Sequence, residues 1–245
     1  MGQAIAALVD AAPDLTLAGV WSRDSDRGGF PAGARLTDDI DALLADADVL
    51  IDFSLPAGTL VAADSAERTG TPLVCGVSGL EEEPLAALEA AAASVPVVYD
   101  RNMSQGIAVL TAIVESIAGT LGAGYTVTID ETHHVHKIDA PSGTALKLGE
   151  AVAAARGQSL PELMWYDEEG EPPEQSIRFQ VERRGEVPGD HSVRFGSATE
   201  SLTVSHSVTT RDVFAEGALR AARWVVGRDA GLYGMADVLG LSADR

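Results

Sequence analysis

The sequence predicts an α/β protein in which a doubly wound, Rossmann-like nucleotide domain is joined to a second domain of the α+β kind. In the first part of the chain, amphipathic helices alternate with short, nearly continuous apolar strands, as in a parallel sheet covered on both faces. In the later part, stretches such as YTVTIDETHH and ESLTVSHSVTT alternate polar and apolar residues, which favours a more antiparallel sheet with one exposed or subunit-facing side.

The predicted elements follow in order along the chain. The first part contains helix MGQAIAALVDAA, strand LTLAGVWS, helix DIDALLADA, strand DVLIDFS, helix AGTLVAADSAERTG, strand TPLVCGVSG, helix EPLAALEAAAAS and strand VPVVYDRN. The second part contains helix MSQGIAVLTAIVESIAGTLG, then strands YTVTIDETHH, SIRFQVERRG, HSVRFGS and ESLTVSHSVTT, with an exposed loop at YDEEGEPPEQ. Helix FAEGALRAARWVVG and the tail GLYGMADVLGL close the chain. We expect this tail to return to the first domain.

Charge and composition exclude several classes of protein. The 245 residues carry a formal net charge of −20, which argues against a nucleic-acid partner because lysine and arginine drive phosphate binding. With 46% hydrophobic and 22% charged residues, the chain is typical of globular proteins. No apolar run is expected to approach the roughly 18 residues of a membrane span, and the start does not resemble a signal peptide. We therefore expect a cytoplasmic protein without a membrane partner.

The single cysteine, Cys75, excludes an internal disulfide framework and a cysteine-rich metal site. Within TPLVCGVSG it is predicted to pack as a small hydrophobic residue.

The stretch ETHHVHKIDAPSGTALKLGE, from Glu131 to Glu150, concentrates three histidines, a lysine and an aspartate in its first nine residues. One hypothesis is a metal site, because His134 and His136 would face the same way on a strand. Asp139, Glu131 or His191 would then supply a third ligand. Metal motifs with diagnostic spacing are absent, so we predict no metal.

A second hypothesis is an acid beside an anion site. If the segment stays extended, His133 and Lys137 share the opposite face, and imidazole titrates near neutral pH. PSGTALKLGEAVAAA then begins a helix capped by Ser142 or Thr144, whose free N–H groups attract a carboxylate or phosphate. The alternative without function is a solvated strand end followed by a capped helix.

At ETHHVHKIDAPSGTAL the sequence closely resembles the signature of the 4-hydroxy-tetrahydrodipicolinate (dihydrodipicolinate) reductases of the lysine and diaminopimelate pathway. The blocks DFSLPAGTL, CGVSGL, DRNMSQGIAVL, RRGEVPGDHSV, FAEGALRAARWV and GLYGMADVLGL resemble the same family in its order. The resemblance implies a dinucleotide-binding domain over 1–103 and 214–245, and a substrate-binding and oligomerisation domain over 104–213. It also implies a homotetramer and a small dicarboxylate substrate.

The resemblance further implies the roles of individual residues. His133 matches the general acid, and Lys137 matches a catalytic lysine that donates to the substrate. His134 matches a substrate-binding position, while Gly143 and Thr144 match backbone donors that hold a carboxylate. We expect Asp139 to orient Lys137 or to close the turn before Pro141. His136 is predicted to be structural or supporting.

For the cofactor, NADPH or NADH, the resemblance points to two loops and two further positions. GVSG resembles the family loop near the nicotinamide, and NMSQG resembles the loop beside the hinge. Arg23 stands where dinucleotide folds select the ribose, and an arginine there can receive the 2′-phosphate of NADP; it slightly favours NADPH, although Asp24 weakens this inference. The predicted cofactor-binding residues are Gly2, Arg23, Gly76, Val77, Ser78, Asn102 and Met103.

The sequence departs from the family pattern at its beginning. Family members begin with a strand and a Gly-x-x-Gly-x-Met-Gly turn, of which only Met1 and Gly2 correspond here. We therefore expect a nucleotide domain without its first strand. An internal methionine of a longer protein is the favoured explanation, and a genuine truncation with weak cofactor binding is the other.

Two further functions compete with the reductase. One is a non-catalytic dicarboxylate- or nucleotide-binding relative that has lost cofactor use. The other is a metal-dependent hydrolase that uses His134 and His136.

Overall fold

The structure, a computed structural model, describes residues 1–22, 28–165 and 175–242. It divides into two compact units, one formed by Met1–Gln105 with Asp212–Arg245 and the other by Gly106–Arg211. We call them unit 1 and unit 2. The stretch YDEEGEPPEQ, interpreted as a loop, lies outside the described residues except for Gln175.

The described elements alternate in unit 1 as the sequence predicts. In chain order the α-helices and strands of the described residues are α1 Gly2–Ala11, β1 Val20–Trp21, β2 Leu36–Thr37, α2 Ile40–Leu44, β3 Leu50–Asp52, α3 Pro56–Thr69, β4 Leu73–Cys75, α4 Glu82–Ala92, β5 Pro96–Tyr99, α5 Gln105–Leu121, β6 Thr126–His133, α6 Gly143–Ala155, α7 Leu160–Leu163, β7 Met164–Trp165, β8 Ile177–Arg183, β9 Asp190–Gly196, β10 Ser201–His206, α8 Asp212–Val225, β11 Gly231–Tyr233 and α9 Met235–Val238. A short 3-10 helix, Gly122–Gly124, follows α5.

The strands of unit 1 are all parallel, which confirms the predicted parallel sheet. Four of them form one sheet in the order β11-β5-β4-β3, and β1 pairs with β2 in a separate two-stranded sheet. The predicted strand LTLAGVWS forms a ladder only at its end, over Val20–Trp21. Within the described residues, no ladder joins the two sheets.

The core of unit 1 follows from its small and branched apolar residues. β4 is buried along its whole length, as a central parallel strand requires. α3 begins with Pro56 at its first turn and ends at Gly70 with φ 73°, the conformation in which a glycine terminates a helix without a Cβ penalty. Its alanines Ala62, Ala63 and Ala66 pack into the same core as Leu73 and Val97.

The C-terminal tail belongs to unit 1, as predicted. β11 adds to β5 in parallel register, with Gly231 opposite Pro96. α8 presents a face of small residues to the unit, including Ala215, Ala218 and Ala222. At Gly217 the approach is closest, because a Cβ there would lie 1.7 Å from the carbonyl oxygen of Met103.

Unit 2 is built on a five-stranded sheet in the order β10-β9-β6-β8-β7. The prediction of a more antiparallel sheet is only half right. β6 pairs antiparallel with β9 and β9 antiparallel with β10, but β6 and β7 both run parallel to β8. The chain can reach a parallel register because helices α6 and α7 lie between β6 and β8, and such crossovers need a long connection.

One helix contradicts the expectation about apolar runs. Helix α5 and the 3-10 helix Gly122–Gly124 that follows it together span 20 residues with a mean hydropathy of 1.7, enough by length and composition to cross a membrane. Its buried residues Ile107, Leu110, Val114 and Ala118 contribute to the core of unit 2. A single such helix is weak evidence, because core helices of soluble proteins pass the same test.

Candidate active site

The candidate site of unit 2 begins on the central strand β6. Its residues alternate between exposed and buried positions, so Val127, Ile129, Glu131 and His133 all point to the buried face, as the two-residue repeat of a strand dictates. Val127 and Ile129 pack in the hydrophobic core. The last two positions on the same face therefore place a carboxylate and an imidazole where the core ends.

The segment after His133 does not stay extended, so that premise of the sequence analysis was wrong. β6 ends at His133, and the Lys137 amide donates to the carbonyl of His134 at 3.1 Å across a turn. A strand-face pairing of His134 with His136, or of His133 with Lys137, therefore does not exist. The turn instead gives His136 an exposed position, 3.4 Å from Glu186.

Lys137 is held by its neighbour Asp139. The Lys137 ammonium donates to both carboxylate oxygens of Asp139 at 2.7 Å, which matches the predicted orienting role. The lysine side chain is 21% exposed. It therefore reaches the surface of the unit in a direction set by Asp139.

Glu131 is the most enclosed charged group of the site. Its side chain is 1% exposed, and its two oxygens each accept the Ser142 amide at 3.1 Å. Arg183, from β8, lies 3.4 Å from Oε1. The guanidinium also donates to the carbonyls of Lys137 and Asp139, so one arginine ties the turn to the carboxylate.

Two histidines meet beside this carboxylate. Nδ1 of His133 lies 3.5 Å from Glu131, and Nε2 of His191 lies 3.8 Å from it. The two rings pack edge to face with centroids 5.0 Å apart. Burial lowers the pKa of His191 to about 3, helped by His133, His206 and Lys137. His191 is therefore neutral at physiological pH.

The pKa of His133 is also lowered, mainly by burial. Glu131 opposes this effect by raising the pKa, while Lys137 and Arg183 lower it further. Opposing charges around one imidazole are a common way to set its proton affinity.

Helix α6 begins next to these groups. Ser142 is its N-cap, as one of the two predicted caps, and its Oγ accepts the Ala145 amide at 3.2 Å. Gly143 opens the helix, and a Cβ built there meets no atom within 4 Å. Thr144 is buried beside it. The helix start can therefore present backbone N–H groups to an anion in open space.

The structure brings His133, Lys137, Gly143 and Thr144 to one region of unit 2 around Glu131. His134 follows directly in the turn; its Nδ1 is shielded from solvent and has no hydrogen-bond partner in the described chain. The sequence analysis missed the roles of Glu131, Arg183 and His191, which it considered only as metal ligands or not at all. The signal for Glu131 was its position two residues before His133, on the same strand face.

Glu131, His133 and His191 also have the donor types of a metal site, with donor atoms within 4.8 Å of one another. The carboxylate already accepts a backbone amide and faces a guanidinium, whose charge would repel a cation. We do not assign a metal to this group. The predicted ligand pair His134 and His136 has ring centroids 6.1 Å apart and no third ligand that the described residues place with them.

In unit 1, the two predicted cofactor loops lie at one edge of the sheet. Gly76–Gly79 follows β4 and Asn102–Met103 follows β5, and these strands are parallel neighbours. Carboxyl ends of parallel strands are the usual position of nucleotide sites in such sheets. Cys75, just before the first loop, is fully buried as predicted, and burial raises the pKa of its thiol to about 12.

The residues of these loops differ in what they offer. Gly76 packs under Phe53, since a Cβ there would lie 2.2 Å from the ring, whereas Ser78 and Gly79 are exposed. The side chains of Val77 and Met103 are buried. Asn102 closes a turn, because its Oδ1 accepts the Ser104 amide at 2.9 Å.

The remaining predicted cofactor residues are less informative. Gly2 is exposed at the start of α1, with no atom within 4 Å of a built Cβ. Arg23 lies outside the described residues.

Comparison with known proteins identifies the family of this chain. The family model for the N-terminus of dihydrodipicolinate reductase matches residues 1–103, and the model for its C-terminus matches residues 106–239. A 4-hydroxy-tetrahydrodipicolinate reductase of Burkholderia thailandensis is 44% identical over 98% of this chain and 94% of its own. The corresponding reductase of Burkholderia pseudomallei is 42% identical over 98% and 96%.

Solved structures agree in fold. A dipicolinate-bound dihydrodipicolinate reductase from Paenisporosarcina has a TM-score of 0.77 at 19% identity, covering 96% of this chain and 94% of its own. An engineered D-amino acid dehydrogenase bound to NADP+ has a TM-score of 0.58 at 14% identity, covering 100% and 93%. The family models and the Burkholderia relatives together show that this chain belongs to the dihydrodipicolinate reductase family.

Proposed function

We propose that this protein reduces 4-hydroxy-tetrahydrodipicolinate, through dihydrodipicolinate, to tetrahydrodipicolinate in lysine and diaminopimelate biosynthesis. The balanced reaction consumes the substrate, one NAD(P)H and one proton, and releases tetrahydrodipicolinate, NAD(P)+ and water. The observation that carries the proposal is the buried His133 at the end of β6, close in the fold to the open start of helix α6. This arrangement supports a proton donor beside an anion site in a protein of this family.

His133 is the proposed general acid. Hydride addition to an unsaturated ring carbon leaves negative charge that a proton must quench, and imidazole can supply one near neutral pH. Burial lowers the pKa of His133, which favours release of its proton, while Glu131 opposes this effect. Lys137, fixed by Asp139, is the proposed second catalytic group and donates to the substrate.

The substrate is a dicarboxylate and needs more than one anion site. One carboxylate is proposed to bind at the start of α6, where Gly143 leaves the backbone accessible and Thr144 follows. The half-buried His134 is the proposed further substrate contact. Charge-assisted hydrogen bonds of these kinds are strong enough to orient a small substrate.

A bound nicotinamide cofactor would supply the hydride. In unit 1 the exposed Ser78 and Gly79, at the carboxyl edge of the sheet, fit such a group because Gly79 has φ 69° and open space around it. Gly76, Val77, Asn102 and Met103 are proposed to shape these loops. Gly2 is proposed near the pyrophosphate, and Arg23 would favour NADPH over NADH through the 2′-phosphate. A homotetramer in the cytoplasm remains our expectation for the assembly.

The test is a coupled assay with this 245-residue chain. Pyruvate, aspartate semialdehyde and the preceding synthase generate the substrate in place, and the absorbance of NADPH and NADH is followed in parallel. Oxidation that depends on the synthase supports the reductase and ranks the cofactors. Binding of pyridine-2,6-dicarboxylate without any oxidation would favour the non-catalytic relative. Oxidation that persists in a metal chelator would exclude a metal-dependent reaction.

A further inference from the structure

Glu131 has no assigned role in the chemistry above, yet it is the most buried charged side chain of the site. Its side chain is 1% exposed and lies between Arg183 at 3.4 Å and Nδ1 of His133 at 3.5 Å. A buried carboxylate is costly unless it is paired and hydrogen-bonded. Its position beside the proposed acid therefore calls for an explanation.

One explanation is purely structural. Both Glu131 oxygens accept the Ser142 amide, so the carboxylate fastens the start of α6 to β6. This hydrogen bond explains why a carboxylate lies next to the start of α6. It does not account for the imidazole on the other side, whose Nδ1 is shielded from solvent and makes no hydrogen bond within the described residues.

The opposite edge of the His133 ring has different surroundings. A Cβ built on Gly189 would lie 3.0 Å from Nε2 and 3.3 Å from Cδ2, so the space beside Nε2 depends on a glycine with φ 154°. The ring therefore has an ionic partner at Nδ1 and a glycine, without a side chain, beside Nε2. Catalytic hydrogen bonds are often long before substrate binds and tighten afterwards.

We propose that Glu131 is a positioning residue for His133: its carboxylate accepts the Nδ1–H, so that the imidazolium transfers its Nε2 proton and the neutral ring keeps the Nδ1–H tautomer. This inference rests on the proposed function, in which His133 is the acid. Arg183 sets the strength of the effect, because it shares the Glu131 carboxylate. After transfer from Nε2, the ring is left neutral with its remaining proton on Nδ1.

Several charged or titratable groups act on His133, and each affects its proton affinity. They are Glu131 from β6, Lys137 and Asp139 from the turn, Arg183 from β8 and His191 from β9. Glu131 and Asp139 raise the pKa of His133, whereas Lys137 and Arg183 lower it. Because an acid must be protonated to act, turnover falls as the pH rises through this pKa. Removing the Glu131 charge should move that fall to lower pH.

The first experiment compares Glu131→Gln with Asp130→Asn in the coupled assay from pH 5.5 to 9. Asp130 is the matched control, because it is the next carboxylate on β6, points to the other face and pairs with Ser192 at 3.2 Å. Glu131→Gln should shift the alkaline fall in kcat down by about one pH unit, which is about tenfold in turnover on that limb. Asp130→Asn should not shift it. If Glu131→Gln instead lowered kcat equally at every pH and left the pH of the alkaline fall unchanged, Glu131 would have a structural role only, and the proposal would be overturned.

Glu131→Asp keeps the charge but shortens the side chain by one carbon. The alkaline fall in kcat should stay at the same pH as in the wild type, while kcat itself is lower because the carboxylate no longer reaches Nδ1. If the alkaline fall in kcat shifted as far as in Glu131→Gln, the result would contradict the proposal, since the charge of residue 131 would then not cause the shift.

A second measurement needs neither turnover nor a stable variant of Glu131. In the wild-type chain labelled with 15N, long-range proton–nitrogen correlation reports the tautomer of neutral His133, whose signals are identified by their loss in His133→Gln. The proposal predicts the Nδ1–H form; the Nε2–H form would overturn it. Absence of synthase-dependent oxidation by the wild type would instead count against the proposed function, so the two failures are distinguishable.

Discussion

The proposed substrate region of unit 2 and the proposed cofactor loops of unit 1 are built on different principles. Around Glu131 the groups that matter are side chains from β6, β8 and β9 and from the turn before α6, connected by ionic contacts and hydrogen bonds. In the cofactor loops the side chains of Val77 and Met103 are buried, and exposed main chain remains at Gly79. The proposed chemistry in unit 2 therefore depends on the identity of particular side chains. In unit 1, the shape of the cofactor loops depends on positions where a glycine has no side chain.

The largest expected effect is loss of the proposed acid. His133→Gln should lower kcat by at least about 100-fold, because general acid catalysis contributes about 10²–10⁴-fold. Affinity for pyridine-2,6-dicarboxylate, measured by calorimetry, should change little. His136→Gln is the control from the same turn, since His136 is exposed and forms its ion pair with Glu186. Equal turnover in both variants would remove His133 from the mechanism.

The next effect tests the main-chain principle in unit 1. Gly217→Ala should destabilise the protein by about 3 kcal/mol, because its Cβ would lie 1.7 Å from the Met103 carbonyl and the backbone must shift. For a chain of this length this corresponds to a fall of about 6–12 °C in the thermal midpoint. Gly119→Ala is the control within a helix, where the nearest atom is 3.8 Å away. An unchanged thermal midpoint for Gly217→Ala would show that α8 and the loop at Met103 can move apart without loss of stability.

A smaller effect concerns the burial of His191. Its pKa is about 3 in the folded chain and near 6.5 in the unfolded chain. Between these values the unfolded state binds the extra proton, so the free energy of unfolding falls by about 1.4 kcal/mol for each pH unit below 6.5, down to about pH 3. Above pH 6.5 this contribution is constant. Urea titrations at pH 7, 6 and 5 measure the free energy of unfolding at each pH. Between pH 6 and 5 it should fall less steeply in His191→Gln than in the wild type, by about this amount per pH unit.

The smallest effect concerns Gly143, which lies in unit 2 but, like Gly79 in the cofactor loops, leaves the main chain accessible. A Cβ on Gly143 meets no protein atom within 4 Å, so Gly143→Ala should leave the thermal midpoint within about 2 °C. It should raise KM for the dicarboxylate about tenfold if the substrate occupies that space, which equals about 1.4 kcal/mol. Unchanged KM with unchanged stability would place the carboxylate elsewhere.

The sequence predicts most of unit 1 because each helix and strand there is a local pattern. Strand β4 and helix α3 follow from a short apolar run and from a proline and glycine at the helix ends. The missed feature in unit 2 is the parallel pairing of β6 with β8. Alternation along a strand indicates which face is buried, but it does not indicate which neighbour lies on either side.

The candidate site shows the same limit. His133, Lys137 and Gly143 lie within eleven residues of the sequence, so their proximity could be predicted from one motif. Arg183 and His191 reach Glu131 only through the pairing of β8 and β9 with β6. The turn after His133 could not be predicted either, because periodicity does not show where a strand stops.

The discontinuity of unit 1 has a consequence for the order of events on the ribosome. Its last strand, β11, and helices α8 and α9 come from Asp212 onward, after every residue of unit 2 has been synthesised. Unit 2 is contiguous and can complete its core while the chain is still growing, since domains generally fold as units during synthesis. The edge of β5 that receives β11 must wait unpaired in the nascent chain. Unpaired strand edges are sites of aggregation, so nascent unit 1 is the part of this protein in greatest need of a chaperone.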